Sequence, residues 1–262
     1  MSSMSPSLFF RLFGAGEAPG VDGQMYAGSL DRRVLLALAR TFQPRVVVEF
    51  GVQRGITAAL LLRECPQIES YVGVDVPPGY DVTLPGQRPE VPAAGQAGEL
   101  AKSDPRFRLL LKAEGTAGLV AGDLPVADLV YIDADHSAEG VRRDTILARA
   151  ICRPGGIIAW HDYGNSSVGV TQVIDALNRA EGDPICHVEE SWVCFEFKGW
   201  RGSAPDPAGK RGDAPRTPAH SSVCTAGVPA LQTTALARES AAISARDMSD
   251  TDCHAAADSR AK

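Results

Sequence analysis

Two short polar motifs in the sequence carry the side chains most suited to chemistry. They contain Asp133, Asp135, His136, His161 and Asp162. Carboxylate oxygens and imidazole nitrogens are ligands for divalent metal ions. They are also the groups that enzymes most often use to accept or donate protons. If folding brings the two motifs together, they predict a metal centre or an acid–base centre.

The elements that precede the motifs explain how the two could meet. Apolar runs at 126–133 and 156–161 are the fourth and fifth strands in a series that alternates with helical segments, which is typical of a parallel, doubly wound sheet. Ligands of such sheets bind beyond the carboxyl ends of the strands. We therefore expect Asp133, His161 and Asp162 to converge as metal ligands. As an alternative, His161 acts as a general base.

His136 and Asp135 are expected to be catalytic together with Asp133 and His161, although each has a simpler explanation. His136 precedes Ser137 and a helix that begins near residue 138, so its role could be limited to the start of that helix. Asp135 is placed to face a cofactor, a metal or an acceptor molecule, and the sequence fixes no role for it.

A glycine turn earlier in the chain indicates a nucleotide-type site. The strand 46–48 fits burial on both faces, and Gly51 and Gly55 allow a tight turn and close approach to a ligand. A second strand ends at Asp75, about 20 residues later, where a carboxylate can bind both hydroxyls of a ribose. The alternatives are a turn that needs glycine for geometry alone and an aspartate that only caps a helix. The three-glycine dinucleotide pattern is missing, which argues against a nicotinamide or flavin enzyme.

Taken together, these segments resemble the class I S-adenosylmethionine-dependent methyltransferases over residues 31–198. The segments 128–137 and 153–162 resemble the small O-methyltransferase branch that includes catechol, caffeoyl-CoA and macrolide-sugar methyltransferases. The resemblance implies that S-adenosyl-L-methionine is the cofactor and that Glu114 lies near its adenine. The cofactor-binding residues implied are Glu49, Gly51, Gly55, Asp75, Glu114 and Asp133.

The resemblance also implies a magnesium-class ion, held by an aspartate after the fourth strand and by an Asp-Asn pair after the fifth. Asp133 matches the first ligand, whereas His161 and Asp162 stand where the pair is expected. Imidazole suits Mn²⁺ better than Mg²⁺. The expected ion is therefore Mg²⁺ or Mn²⁺, and a metal-free base at His161 stays open.

Composition sets limits on the partners. The chain has 44% hydrophobic residues, 22% charged residues and a net charge of −6, with no basic stripe, so we expect no nucleic-acid partner. Its apolar runs are too short for a membrane span or a signal-peptide core, which predicts no membrane association and a cytoplasmic location. Phe9, Phe10 and Phe13 are expected to be exposed, where they could support a homodimer.

The expected fold is α/β, with a Rossmann-like, doubly wound, mostly parallel sheet, a terminal antiparallel strand and three α/β/α layers. We expect an N-terminal extension at 1–30, a methyltransferase domain at 31–198 and a disordered low-complexity tail at 199–262. The segments 187–190 and 192–197 would form an antiparallel edge, and the Pro- and Gly-rich segment 77–98 would be a functional lid.

The expected function is methyl transfer from S-adenosylmethionine to a hydroxyl of a small-molecule acceptor, such as a sugar, a catechol or another natural product. The alternative is a protein that binds S-adenosylmethionine without catalysis, as a scaffold in a biosynthetic pathway. A requirement for a divalent metal would distinguish the two.

Overall fold

An eight-stranded sheet forms the centre of the structure. The computed structural model describes residues 1–14, 28–181 and 185–199. The strands are β1 (Ser2–Met4), β2 (Val46–Phe50), β3 (Ser70–Asp75), β4 (Phe107–Leu111), β5 (Ala127–Ile132), β6 (Cys152–Trp160), β7 (Cys186–Val188) and β8 (Cys194–Phe197). Across the sheet they follow the order β1-β7-β8-β6-β5-β2-β3-β4.

Seven of these strands run in one direction, and β8 alone runs against them. β8 pairs antiparallel with both β6 and β7, whereas the pairs from β6 through β5, β2 and β3 to β4 are parallel, as is β1 with β7. The central strands are apolar and β-branched because helices cover both of their faces. The predicted mostly parallel sheet with a terminal antiparallel strand is confirmed.

Five α-helices in the described part of the chain form the outer layers: α1 (Pro6–Phe13), α2 (Ser29–Phe42), α3 (Ile56–Glu64), α4 (Ala138–Ile151) and α5 (Val170–Glu181). The first three pack in a chain from α1 to α3, and α4 packs on α5. The side chains of β2 point alternately to the two faces of the sheet. Val48 and Phe50 belong to the core beneath α4 and α5, whereas Glu49 faces the opposite side. The α/β/α layering follows from this division.

The amino-terminal residues add a strand that the sequence did not reveal. β1 pairs in parallel with β7 through Ser2 and Cys186, so β1 forms the edge of the sheet on that side. The prediction that 187–190 and 192–197 form the edge is therefore wrong in position, although β7 and β8 are antiparallel to each other as expected. A three-residue strand rich in serine is too short to show a period-two pattern.

The predicted exposure of the N-terminal phenylalanines is also wrong. Phe9 is fully buried and Phe13 is 5% exposed. Both rings lie 6.0 Å from the ring of Phe195 on β8. The apolar face of α1 is thus used within the chain, and it gives no support to the predicted homodimer.

The described residues all belong to one compact unit, Met1–Arg201. Apart from Gly199, the predicted disordered tail at 199–262 lies outside the described residues, as does most of the second half of the predicted extension at 1–30. Within the described residues, the structure contains no helix with the length and apolar character needed to cross a membrane.

Candidate active site

The glycine turn after β2 is shaped by the protein's own backbone. Gly51 has a φ of 85°, and its N–H donates to the carbonyl of Val74 at 2.9 Å. A Cβ on Gly51 would lie only 1.9 Å from the carbonyl oxygen of Asp133. Gly55, with a φ of 83°, occupies the N-cap of α3. The glycine at 51 is therefore required where the turn passes the end of β5, whether or not a ligand is bound.

Asp75 stands at the end of β3 and holds the glycine turn in place. Its Oδ2 accepts hydrogen bonds from the N–H groups of Val52 at 2.9 Å and Gln53 at 2.6 Å, and its Oδ1 accepts one from Val76 at 2.7 Å. Burial raises the pKa of Asp75, although these hydrogen bonds oppose the rise. A carboxylate has about four acceptor positions. One position remains for a ribose hydroxyl, so binding both hydroxyls would require a backbone amide to be released.

Glu49 lies on the same face of the sheet, beneath the turn, and is 1% exposed. Its Oε2 accepts a hydrogen bond from the hydroxyl of Tyr71 at 2.9 Å. Burial raises the pKa of Glu49 well above its usual range, and the nearby charges of Asp133 and Asp75 add to the rise. The shift of the pKa favours the protonated form of Glu49, which can donate as well as accept a hydrogen bond.

The end of the cavity predicted to hold adenine is reached through Glu114 and Gly115, which follow β4. Behind them, the Thr116 hydroxyl donates to Oδ1 of Asp144 at 2.5 Å, and Arg143 Nη2 lies 3.3 Å from that hydroxyl. Burial raises the pKa of Asp144 to about 6, against the hydrogen bond from Thr116 and the charge of Arg143. This buried cluster supports the wall of the cavity on which Glu114 lies.

Three side chains converge beyond β5 and β6 as a candidate metal-binding cluster: Asp133, His136 and Asp162. One ligand atom from each lies within 4.8 Å of the others. His136 Nε2 is 3.2 Å from Asp133 Oδ1, and His136 Nδ1 is 3.1 Å from Asp162 Oδ2. Asp162 has a φ of 62°, an αL conformation that aspartate tolerates better than most residues. Two carboxylates and an imidazole at this spacing fit a first-row divalent ion such as Mn²⁺.

His161 lies beside this cluster rather than within the closest set of ligand atoms. Its Nδ1 is 3.3 Å from Asp133 Oδ1 and 3.6 Å from Asp162 Oδ2. Its Nε2 lies 3.5 Å from Oδ2 of Asp31, whose Oδ1 accepts a hydrogen bond from the N–H of Trp192 at 2.8 Å. His161 is thus held between carboxylates on both ring nitrogens, and its predicted role as a metal ligand stays a prediction.

The charges of this region depend on each other. Burial alone would raise the pKa of Asp133, but the imidazolium of His161 and the hydrogen bonds from both histidines lower it to about 2. Burial alone would lower the pKa of His136, but Asp133 and Asp162 raise it to about 9. The same carboxylates, together with Asp31, raise the pKa of His161 well above its usual value. Without a bound cation, the His136 imidazole carries a proton at neutral pH, and the pKa of His161 is shifted in the same direction.

Asp135 and His136 have different local roles. Asp135 Oδ1 accepts a hydrogen bond from the N–H of Ser137 at 2.9 Å, and its Oδ2 lies 3.5 Å from Arg143 Nη2. Ser137 is the N-cap of α4, because its hydroxyl accepts from the N–H of Gly140 at 3.1 Å. The capping function that could have explained His136 thus belongs to Ser137, which leaves the His136 ring to the metal-binding cluster.

A single cavity of about 560 Å³ joins the glycine turn to the metal-binding cluster. This volume lies in the usual range for small-molecule sites. Apart from Gly55, all the predicted site residues line this cavity. They are Glu49, Gly51, Asp75, Glu114, Asp133, Asp135, His136, His161 and Asp162. The structure therefore brings together the two halves that the sequence predicted separately.

Several groups in or beside the cavity were missed by sequence reasoning. Gln87 and Glu90 come from the segment 77–98, and Trp192 comes from the loop before β8. Asp31 reads in the sequence as an ordinary acidic residue in the first turn of a helix. No periodic pattern or motif marks these residues, since their position depends on how distant loops meet.

Comparison with known proteins agrees with this geometry. Residues 48–163, from β2 through the His161-Asp162 motif, match the family model of a methyltransferase domain. Over these residues the chain is similar to a methyltransferase domain. The matched region includes the glycine turn, Asp75 and the candidate metal-binding cluster.

Two solved structures share the fold of this chain. The O-methyltransferase NovP is 13% identical and has a TM-score of 0.50, with 66% of this chain and 83% of that chain covered. A Staphylococcus aureus protein assigned as a caffeoyl-CoA O-methyltransferase is 12% identical and has a TM-score of 0.50, with 74% of this chain and 90% of that chain covered. At such identities the likeness shows the fold. Among curated proteins, no sequence matches the chain.

Proposed function

We propose that the methyltransferase transfers the methyl group of S-adenosylmethionine to a hydroxyl oxygen of a small-molecule acceptor. The observation that carries the proposal is the position of Asp133, His136 and Asp162 in the same cavity as the glycine turn and Asp75. The two solved structures named above are O-methyltransferases by description. Their chemistry supports the choice of oxygen as the methylated atom.

The cofactor end of the cavity fits a nucleoside. Gly51 keeps the turn free of a side chain, and Asp75 retains one acceptor position for a ribose hydroxyl. Burial raises the pKa of Glu49, which favours the protonated acid that can donate a hydrogen bond. When bound, the cofactor supplies a methyl group on a positively charged sulfur. The protein must then hold an acceptor hydroxyl in line with that methyl and receive its proton.

Asp133, Asp135, His136 and His161 are the proposed catalytic residues. His136, with a pKa of about 9, is protonated at neutral pH in the geometry described, so it cannot act as a base until it loses its proton. The pKa of His161 is raised in the same direction. A cation held by Asp133, His136 and Asp162, with His161 as the sequence prediction has it, would favour the neutral imidazoles. It would also polarise the acceptor hydroxyl. Asp135, anchored at the start of α4, orients the segment that carries Asp133 and His136.

The acceptor enters from the side formed by the segment 77–98 and Trp192. A small-molecule acceptor follows from the cavity volume of about 560 Å³. A cytoplasmic location, a homodimer and the lack of a nucleic-acid partner stay predictions from the sequence.

An acceptor screen tests the proposal directly. The full chain is incubated with S-adenosylmethionine and a panel of sugars, catechols and phenolic glycosides, and products are detected by the mass of one added methylene. We expect O-methylated products that disappear with EDTA and return with Mn²⁺ or Mg²⁺. In the same assay, Asp162→Ala should abolish turnover but keep cofactor binding, whereas Asp75→Ala should weaken binding. Cofactor binding without transfer to any acceptor would favour the non-catalytic scaffold instead.

A further inference from the structure

A single buried amide fixes the segment 77–98 against the active site. Gln87 lies in a short 3₁₀ helix, Pro85–Glu90, and is 7% exposed, whereas its neighbours Gly86 and Arg88 are exposed. Glutamine is seldom buried unless its amide finds partners. Its burial in an otherwise exposed turn indicates that the contacts of the side chain hold the turn in place.

Those contacts are made with the backbone of the segment 133–136, which carries three of the proposed catalytic residues. Gln87 Nε2 donates to the carbonyl oxygen of Ala134 at 3.0 Å, and Gln87 Oε1 accepts from the N–H of His136 at 3.4 Å. These two backbone groups flank Asp135. One planar amide therefore fixes the main chain on both sides of Asp135, between the residues that carry the Asp133 carboxylate and the His136 ring.

The same amide also contacts the acceptor side of the cavity. Gln87 Nε2 lies 3.4 Å from Oε2 of Glu90, a half-buried carboxylate that lines the cavity. Burial raises the pKa of Glu90, and the positive charge of His136 opposes the rise. Glu90 is thereby oriented towards the space that an acceptor would occupy, and its position is tied to that of His136.

We propose that Gln87 is a positioning residue for the methyl transfer. It holds the Asp133–His136 segment in its reactive geometry and joins this segment to the acceptor-covering segment 77–98. The role of Gln87 in methyl transfer rests on the proposed function. Its contacts with the backbone of Ala134 and His136 can be tested without any acceptor. A residue that served packing alone would be replaced without effect by an apolar side chain of the same length.

Gln87→Met provides that replacement, because it keeps length and volume but removes all three hydrogen bonds. Arg88→Ala is the matched control in the same helix, since the Arg88 side chain is 75% exposed. The full chain is labelled with ¹⁵N-histidine, which gives five residues to follow, and the His136 signals are assigned by their loss in His136→Gln. The measured quantities are the amide exchange rate of His136, the chemical shifts of its ring nitrogens and the thermal midpoint.

In Gln87→Met we expect the His136 amide to exchange about tenfold faster, the gain expected from losing a backbone-protecting hydrogen bond. We also expect its ring signals to shift, while those of His187 on β7 stay unchanged. Arg88→Ala should match the wild type in every signal. Loss of global packing would instead move all described histidines and the thermal midpoint together.

His136 signals in Gln87→Met that overlay those of the wild type would overturn the proposal. If Gln87→Met fails to fold, Gln87→Asn takes its place, since its amide is one methylene too short to reach both backbone groups. For Gln87→Asn, faster exchange of the His136 amide with shifted ring signals supports the proposal, and unchanged His136 signals overturn it. Titration of the wild type with S-adenosylhomocysteine separates the proposed function from the positioning role of Gln87. A wild type that does not bind S-adenosylhomocysteine contradicts the proposed function. The His136 signals still decide whether Gln87 fixes the segment.

Discussion

Asp144 gives a quantitative test of the electrostatics around the cavity. This residue of α4 is fully buried, and its Oδ2 has no hydrogen-bond partner among the described residues. Its Oδ1 accepts from Thr116, and Arg143 Nε lies 3.4 Å away. Burial outweighs these favourable contacts and raises the pKa from 3.8 to about 6. The ionised form is therefore less favourable in the folded chain than in the unfolded chain.

The sign and size of the effect on stability follow from this difference. A raised pKa means that the folded state binds the proton more tightly, so Asp144 lowers stability as the pH rises from about 4 to above 6. At about 1.4 kcal/mol per pKa unit, ionisation of Asp144 costs about 3 kcal/mol at neutral pH. Asp144→Asn keeps the shape and the hydrogen bond from Thr116 but has no such cost.

Urea denaturation of the wild type and Asp144→Asn at about pH 4 and about pH 7.5 measures the cost. The stability of Asp144→Asn relative to the wild type should increase by about 2 kcal/mol between the two conditions, since most of the cost appears in that range. Asp81→Asn, with a side chain that is 91% exposed, is the control for loss of one charge. A difference under about 0.5 kcal/mol, or one equal to that of Asp81→Asn, would refute the reasoning.

Two further variants test the turn and the N-terminal helix. Gly51→Ala should abolish folding or cofactor binding, because its Cβ would meet the Asp133 carbonyl. In the control Gly79→Ala, residue 79 has a φ of 79° and open space around it, so the loss of stability in urea denaturation should be only about 1–2 kcal/mol. Equal effects of the two variants would show that backbone strain alone matters. Phe9→Ala should lower the free energy of unfolding by about 3–5 kcal/mol at any protein concentration, and a loss that appears only as dissociation of a dimer would contradict its burial within the chain.

The sheet and the placement of the main candidate site residues were predictable because local signals agree with the fold. Buried parallel strands need apolar, β-branched residues, so β2, β3 and β5 are visible in the sequence. Since the carboxyl ends of such strands share one edge of the sheet, the sequence alone predicts that Asp75, Asp133 and the His161-Asp162 motif lie at that edge.

The remaining features depend on contacts between segments far apart in the chain. The sequence left open whether Gly51 serves a ligand or the turn alone, and the structure adds the Asp133 carbonyl, at a distance too short for any Cβ on residue 51. The sequence placed His161 among the metal ligands, whereas the ring nitrogens of His136 lie nearer to the carboxylates of Asp133 and Asp162, at 3.2 and 3.1 Å against 3.3 and 3.6 Å for His161. Gln87 lies in a segment without periodicity, and no local pattern could indicate that its amide reaches the backbone of Ala134 and His136.

Calorimetric titration of the full chain with S-adenosylhomocysteine, with and without Mn²⁺, tests the central claim most directly. We expect micromolar affinity, equivalent to about −8 kcal/mol, stronger heat with Mn²⁺, and a large loss of affinity in Asp75→Ala. An absence of binding under both conditions, or an affinity unchanged in Asp75→Ala, would contradict the assignment of this cavity to the cofactor.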